Sequence, residues 1–394
     1  MRRALIRSTI ARVDLHALKH NFAAIQAFLA GGEGASAPVS ASPPAIIAVV
    51  KANAYGHGAP QVALALEQAG ATMLACADIE EGIVLRQAGV RVPILVFGAL
   101  SVSNLDGLFE FELTPTISTP GAARAVQAAA ARHRSKVAYH LKIDTGMNRL
   151  GFRHDNLRHT LPELLASPNL QLDAVYTHFA SADVPESDVF AHQRDRFEQA
   201  LATVSALGAR PRVRHASNSA ALLRDARVWY DAVRPGLLLY GIVPPPLATT
   251  IALTPVMSLT SRVVAVKGLR PGEGVGYGWR HQVPEPSSIA VVPAGYADGL
   301  DTRLCGCGHV LIRGRRLPIV GALSMDMLTV DVTDLEQVQP GDEVVILGRQ
   351  GNESWQQIDA REMAAAIGTI PWEIVCRLGT RIERHYDSTP NSQT

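Results

Sequence analysis

Ala45-Ile46-Ile47-Ala48-Val49-Val50-Lys51-Ala52-Asn53-Ala54-Tyr55-Gly56-His57-Gly58 joins an apolar run to a lysine and then to a turn with two glycines. The apolar run reads as a parallel strand buried on both faces. A lysine at its end has two readings. It can snorkel off the strand into water. It can also face the C-terminal mouth of a barrel, where strand-end residues enter the active site. Partial desolvation there favours the neutral, nucleophilic amine, which can form a Schiff base with an aldehyde cofactor.

Outward from this strand, similar apolar runs recur at Thr72–Ala77, Val92–Phe97, Leu113–Ile117, Val137–Ile143, Leu172–Thr177, Val213–His215 and Asp231–Val233. Helix-like stretches alternate with them: Gln61–Ala69, Asp78–Ala88, Pro120–Arg132, Asp188–Leu207 and Ser219–Asp225. An earlier helix is expected from Asp14 as N-cap, with Leu15, Leu18, Phe22, Ile25 and Leu29 on one face. The alternation predicts an α/β fold, a (β/α)8 TIM-type barrel, although a doubly wound sheet would alternate similarly. Ala30–Pro44, rich in Gly, Ala, Ser and Pro, reads as a surface insertion. After Pro255 short β-branched runs separated by Gly, Pro and Asp predict a mostly-β C-terminal domain. The expected division is 1–12 as an N-terminal strand joining the C-terminal domain, 13–250 as the barrel and 251–394 as the β domain.

Composition removes several classes. Of 394 residues, Lys+Arg 37 against Asp+Glu 36 leave no basic excess for nucleic acid. Hydrophobic content of 47% describes a globular chain. No apolar run is long enough for a transmembrane helix, and the basic start lacks the apolar stretch of a secretory signal. Four cysteines are too few for a disulfide framework, and Cys305-Gly306-Cys307 reads as a turn rather than a metal site. A cytoplasmic enzyme without a metal is expected.

The lysine turn Lys51–Gly58 resembles the cofactor-lysine signature of the alanine racemases, fold-type III enzymes using pyridoxal 5′-phosphate. Further motifs follow in family order: His140-Leu141-Lys142-Ile143-Asp144-Thr145-Gly146-Met147-Asn148-Arg149-Leu150-Gly151-Phe152, Thr177-His178-Phe179-Ala180-Ser181-Ala182-Asp183 and Asn218-Ser219-Ala220-Ala221. The C-terminal half adds Arg234–Gly241, Gly274–Gly278, Ala294–Gly299 and Ser324-Met325-Asp326.

The resemblance implies that Lys51 binds the cofactor and serves as one acid/base, with Tyr277 from a partner subunit as the other. Racemisation removes a Cα proton from one face and returns one to the other, so two bases suffice for both directions. A phenol with pKa near 10 needs a neighbouring cation, which the resemblance supplies as Arg149. Arg234 is implied to face the pyridine nitrogen. Arginine can only donate, so that nitrogen stays unprotonated and the ring is a weaker electron sink. His178 would orient Arg234. The phosphate would meet Ser219, the amides of Gly236 and Leu237, and the Tyr55 phenol. Lys142 is commonly carbamylated in the family; a bare lysine beside Arg149 would put two buried like charges together. Met325 would offer its N–H to the substrate carboxylate, and Tyr296 would narrow the entrance. Thr380 falls where members often carry a phosphate-binding tyrosine, so that contact is not carried over.

The expected activity is interconversion of L- and D-alanine by a homodimer with shared sites, supplying D-alanine for peptidoglycan or degrading it. A broader amino-acid racemase, a barrel decarboxylase for basic amino acids and a non-catalytic cofactor carrier are the alternatives. The residues after Pro255 speak against the carrier, which would need neither Tyr277 nor Met325.

Overall fold

Eight parallel strands close on themselves. Ala45–Val49 pairs with Met73–Cys76, which pairs with Ile94–Val96, and that with Thr114–Ile117. Thr114–Ile117 pairs with Val137–Asp144, followed by Leu170–Tyr176, Val213–His215 and Ala232–Val233. Ala232 returns to Ala45 and completes the barrel. This closure excludes the open, doubly wound sheet, since neither edge is left free. The computed structural model describes residues 8–31, 42–100, 104–351 and 355–387. Most of the surface insertion expected at Ala30–Pro44, and the first seven residues of the expected N-terminal strand, lie outside the described residues.

Helices follow the strands, and their starts are chemically marked. Asp14 Oδ1 accepts from the His16 and Ala17 amides, both at 2.9 Å, and opens the helix Leu15–Leu29. Leu18, Phe22, Ile25 and Leu29 are buried along one face of that helix. Asp78 caps Ile79–Gln87 through the Glu81 amide, and Thr119 caps Pro120–Arg132 through Ala122 N, with Pro120 pre-set for the first turn. Two helices were not expected from sequence, Asp106–Glu110 and Leu157–Leu165. The first is a single turn, too short to show periodicity. The second carries Pro162 in its interior, which ordinarily argues against a helix.

The chain divides into two compact units, Leu18–Ala54 with Ala59–Leu253, and Met1–Ala17 with Tyr55–Gly58 and Thr254–Thr394. The second unit is built on a mostly antiparallel sheet whose strands include Ala265–Leu269, Ser287–Val292, Leu328–Asp331, Arg315–Val320, His309–Ile312, Glu343–Gln350 and Met257–Arg262. Ile10–Asp14 lies antiparallel to Met257–Arg262 and parallel to Glu383–Asp387. Two short helices, Ala360–Ala366 and Pro371–Cys376, belong to the same unit.

Candidate functional site

Lys51 follows the barrel strand Ala45–Val49 with one residue between. The next four residues, Ala52, Asn53, Ala54 and Tyr55, all have φ near +50° (52, 52, 54 and 53). A run of four non-glycine residues in left-handed helical geometry costs on the order of 1–2 kcal/mol at each. Such strain persists only where surrounding contacts over-determine it, and it concentrates at functional sites. Ala54 N donates to Val50 O at 2.8 Å and closes the turn. Beyond it, Tyr55 is buried, and burial pushes its phenol well above the usual range.

Arg234 leaves the end of the last barrel strand and is 3% exposed. Its NH2 donates to Thr177 O and Ala216 O, both at 2.9 Å, and lies 3.4 Å from His178 Nδ1. The shorter histidine contact is to His215: NH1 donates to Nδ1 at 2.7 Å. Arginine has no acceptor, so His215 Nδ1 must accept and its proton sits on Nε2. That proton meets His140 Nδ1 at 3.0 Å. His140 then presents Nε2–H toward Asp173, whose Oδ2 lies 3.7 Å away, an ion-pair rather than hydrogen-bond separation. Asp173 is held by Arg212 at 2.8 and 2.9 Å. The result is a line of polar side chains from Arg234 through His215 and His140, all three buried, to half-buried Asp173 and exposed Arg212. Burial lowers the pKa of His178, His215 and His140 and brings Arg234 down to about 10. The two additional histidines were missed in the sequence. A signal was available: in Val137–Asp144, His140 and Lys142 are two residues apart and share one face of an apolar strand.

Lys142 is 6% exposed, and its Nζ lies 5.7 Å from the centre of the Tyr176 ring. Burial first, then the charges of Arg149 and Arg234, pull its pKa down to about 8. The loop that carries Arg149 is fixed by Asp144 Oδ1, which accepts from Gly146 N and Asn148 N, both at 3.0 Å. Gly151 closes that loop at φ +133°, where an added Cβ would stand 2.6 Å from Asp144 N. Gln193 ties this loop to the next one. Its Nε2 donates to Thr145 Oγ1 at 3.2 Å and to His178 O at 3.1 Å, while Oε1 accepts from Ala180 N at 2.8 Å.

Ser219 is not the helix cap that its position suggests. Asn218 takes that role by accepting from Ala221 N at 2.9 Å. The Ser219 hydroxyl is thereby left for the neighbouring turn, where Gly236 N donates to it at 3.0 Å and Leu238 N at 3.4 Å. Ser219, Gly236 and Leu237 thus form part of one buried, uncharged wall, in which the hydroxyl already holds the Gly236 and Leu238 amides.

In the β-rich unit, Tyr277, Tyr296 and Met325 are all exposed, Tyr277 at 75%. Their loops are gathered together. Tyr296 N donates to Ser324 O at 3.1 Å and Ala297 N to Met325 O at 3.0 Å. Gly295 permits this approach, since an added Cβ would come within 2.4 Å of the Ser324 and Met325 carbonyls. Gly276 packs on the backbone of Ala322, far along the chain, with its Cβ position 3.2 Å from Ala322 O. Arg381 anchors Asp326 at 2.6 Å and approaches buried Asp298 at 3.6 Å. Thr380, beside it, is exposed. Cys307 donates to Arg303 O, and among the described residues no group of His, Cys, Asp and Glu is disposed to hold a metal. Also among them, no helix is long and apolar enough to cross a membrane.

Residues 13–244 match the family described as alanine racemase, N-terminal domain, and residues 256–386 match alanine racemase, C-terminal domain. The chain is 41% identical over 388 residues to the alanine racemase of Sorangium cellulosum, covering 97% of this chain and 99% of that one. Among solved structures it is similar to the alanine racemase from D-cycloserine-producing Streptomyces lavendulae, with a TM-score of 0.90 and 33% identity over 98% of both chains. It is also similar to the Bacillus anthracis alanine racemase solved with bound L-Ala-P, with a TM-score of 0.87, 34% identity, and coverage of 99% and 97%.

Proposed function

This chain belongs to the alanine racemase family and is a racemase, and on that premise we propose that it interconverts L- and D-alanine using pyridoxal 5′-phosphate held by the barrel. The observation that carries the cofactor reading is the buried Arg234 guanidinium at the end of the strand paired with the one that leads to Lys51, with an uncharged hydroxyl-and-amide wall on the same unit. An Arg with only donors fits an unprotonated ring nitrogen, the Ser219–Gly236–Leu237 wall fits an anion without a counter-charge, and Lys51 fits an aldehyde. When bound, the cofactor acidifies the substrate Cα–H by delocalising the charge left behind. The line Arg234–His215–His140–Asp173 holds the guanidinium in one tautomerically defined setting.

Lys51 Nζ takes or returns the Cα proton on one face. The phenol of Tyr277, supplied by a partner subunit, serves the other face, with an Arg149 guanidinium favouring its phenolate. The 75% exposure of Tyr277 in this chain supports a partner that covers it, and hence a homodimer with shared sites. Met325 N–H meets the substrate carboxylate and Tyr296 narrows the approach. Tyr55 and His178 complete the cofactor contacts. Lys142 takes up carbon dioxide as a carbamate, releasing one proton and replacing a buried cation with an anion that suits Arg149. Its pKa of about 8 supports this, because the neutral amine is the reactive form. The product serves as D-alanine for peptidoglycan, or the reaction runs in reverse to degrade it.

Protein incubated with L-alanine in D2O should gain deuterium at Cα while D-alanine accumulates. Borohydride reduction followed by peptide mapping should place the cofactor label on Lys51. Absence of exchange with any amino acid, despite bound cofactor, would leave a carrier instead of an enzyme. A panel including serine and basic amino acids tests the broader racemase, since one methylene in an apolar pocket is worth only about 1–3 kcal/mol.

A further inference from the structure

The left-handed turn after Lys51 is held by a carboxylate from the neighbouring βα loop. Glu81 lies in the first turn of the helix Ile79–Gln87, and its own N–H is taken by Asp78 Oδ1 at 2.9 Å. Its side chain points away from its helix toward two backbone amides. Oε2 accepts from Ala77 N at 2.8 Å, and Oε1 accepts from Asn53 N at 3.3 Å. One carboxylate therefore bridges the ends of two adjacent barrel strands, Ala45–Val49 and Met73–Cys76. Asn53 is the second residue of the strained turn, with φ +52°. Its side chain continues the clamp: Asn53 Oδ1 accepts from Ala59 N at 2.8 Å, at the start of the helix Ala59–Gln68.

We propose that Glu81 is a positioning residue for Lys51, fixing the left-handed turn through Asn53 N so that the lysine amine is presented at the barrel mouth. The chain of cause is local. Hydrogen bonds from backbone amides to an ionised carboxylate are stronger than those between neutral groups, and two amides share this one. The bond from Asn53 N offsets part of the preference of Ala52, Asn53 and Ala54 for right-handed or extended geometry, while the bond from Ala77 N fixes the carboxylate in place. Without Glu81 the turn relaxes, and Lys51 Nζ samples positions from which it reaches neither aldehyde carbon nor substrate proton. The inference rests on the reading that Lys51 carries pyridoxal 5′-phosphate.

The test uses the full chain, prepared free of cofactor, as the parent protein, Glu81→Ala and Glu81→Gln. Each is mixed with pyridoxal 5′-phosphate, and the rate of appearance of the visible band and its induced circular dichroism are recorded. Then kcat and KM for L-alanine are measured at saturating cofactor, along with the thermal midpoint. Glu81→Ala should slow capture and lower kcat by about tenfold or more each, equivalent to about 1.4 kcal/mol, with KM within about twofold of the parent. Glu81→Gln keeps one acceptor and the side-chain size, so it should fold and fall between the two. A lowered thermal midpoint with capture rate, dichroism and kcat equal to the parent's would overturn the inference and leave Glu81 merely structural. Should Glu81→Ala fail to fold, parent-like capture by Glu81→Gln overturns it as well. A parent protein that forms no such band at Lys51 would overturn the cofactor reading itself, before any variant is compared.

Discussion

The barrel unit and the β-rich unit handle their candidate functional groups in opposite ways. The barrel hides charge: Arg234, Lys142 and two linked histidines are buried, and the Arg234 guanidinium and both ring nitrogens of His215 are oriented by named neighbours. The β-rich unit displays apolar and aromatic groups, with Tyr277, Trp279, Tyr296, Met325 and Met327 all exposed. Burial without water demands that a cation be pre-organised, because an unpaired buried charge costs several kcal/mol. Exposure demands nothing of the single chain, and an exposed apolar patch is where a second surface docks when there is one. The first unit is finished by its own folding, and the second leaves these side chains on the surface of the single chain.

Four experiments can break or sharpen that contrast. Tyr277→Phe should lower kcat by about 10²- to 10⁴-fold, the range for a positioned acid/base, while leaving the unfolding midpoint unchanged. A matching loss of stability would mean that the phenol is part of the chain's own packing. Arg234→Met should lower stability by roughly 3–5 kcal/mol in denaturant titration, since it strands His215 Nδ1 and the Thr177 and Ala216 carbonyls. A near-neutral result would show that the buried network is not what holds the barrel end.

Lys142 connects the contrast to pH. Its folded pKa of about 8 lies below the ordinary lysine value because burial disfavours the cation. Below about 8 the neutral amine falls roughly tenfold per pH unit, about 1.4 kcal/mol each. Under a fixed pressure of labelled carbon dioxide, carbamate occupancy should therefore climb with pH, steeply below about 8, where the cation gives up two protons, and less steeply above it, where the neutral amine gives up one, until the site is full. A steep dependence that persists to the ordinary lysine range would contradict the depressed pKa. The smallest effect is expected from the helix cap: Asp14→Ala should cost about 1 kcal/mol, read as a shift in denaturant midpoint at unchanged kcat. It removes two amide contacts and no functional group.

The barrel strands were legible because unbroken apolar runs have few other uses, and their order survived intact from Ala45–Val49 to Ala232–Val233. Closure was not legible, since it depends on Thr116 meeting His140 and Ala232 meeting Ala45 across long sequence separations. Lys51 stood out by its place at a strand end, but the left-handed turn did not, because Ala52 and Ala54 are ordinary helix formers. Ser219 was legible as the start of its helix, but that Asn218 caps it and leaves the hydroxyl for Gly236 was not, since Ser and Asn are both good N-caps. His215 is the firmest neighbour of Arg234 among the two nearby histidines, yet only three-dimensional proximity distinguishes it from His178.

The strand Ile10–Asp14 has a consequence for synthesis. It is translated before both of its partners, Met257–Arg262 and Glu383–Asp387, which emerge about 250 and about 370 residues later. At about 5–20 residues per second, the second delay is roughly 20–75 s. Until Met257–Arg262 is made the strand has neither partner, and by then all eight barrel strands precede it in the chain; from there until Glu383–Asp387 one edge is still unpaired. The β-rich unit is thus a clasp whose first strand waits for its last.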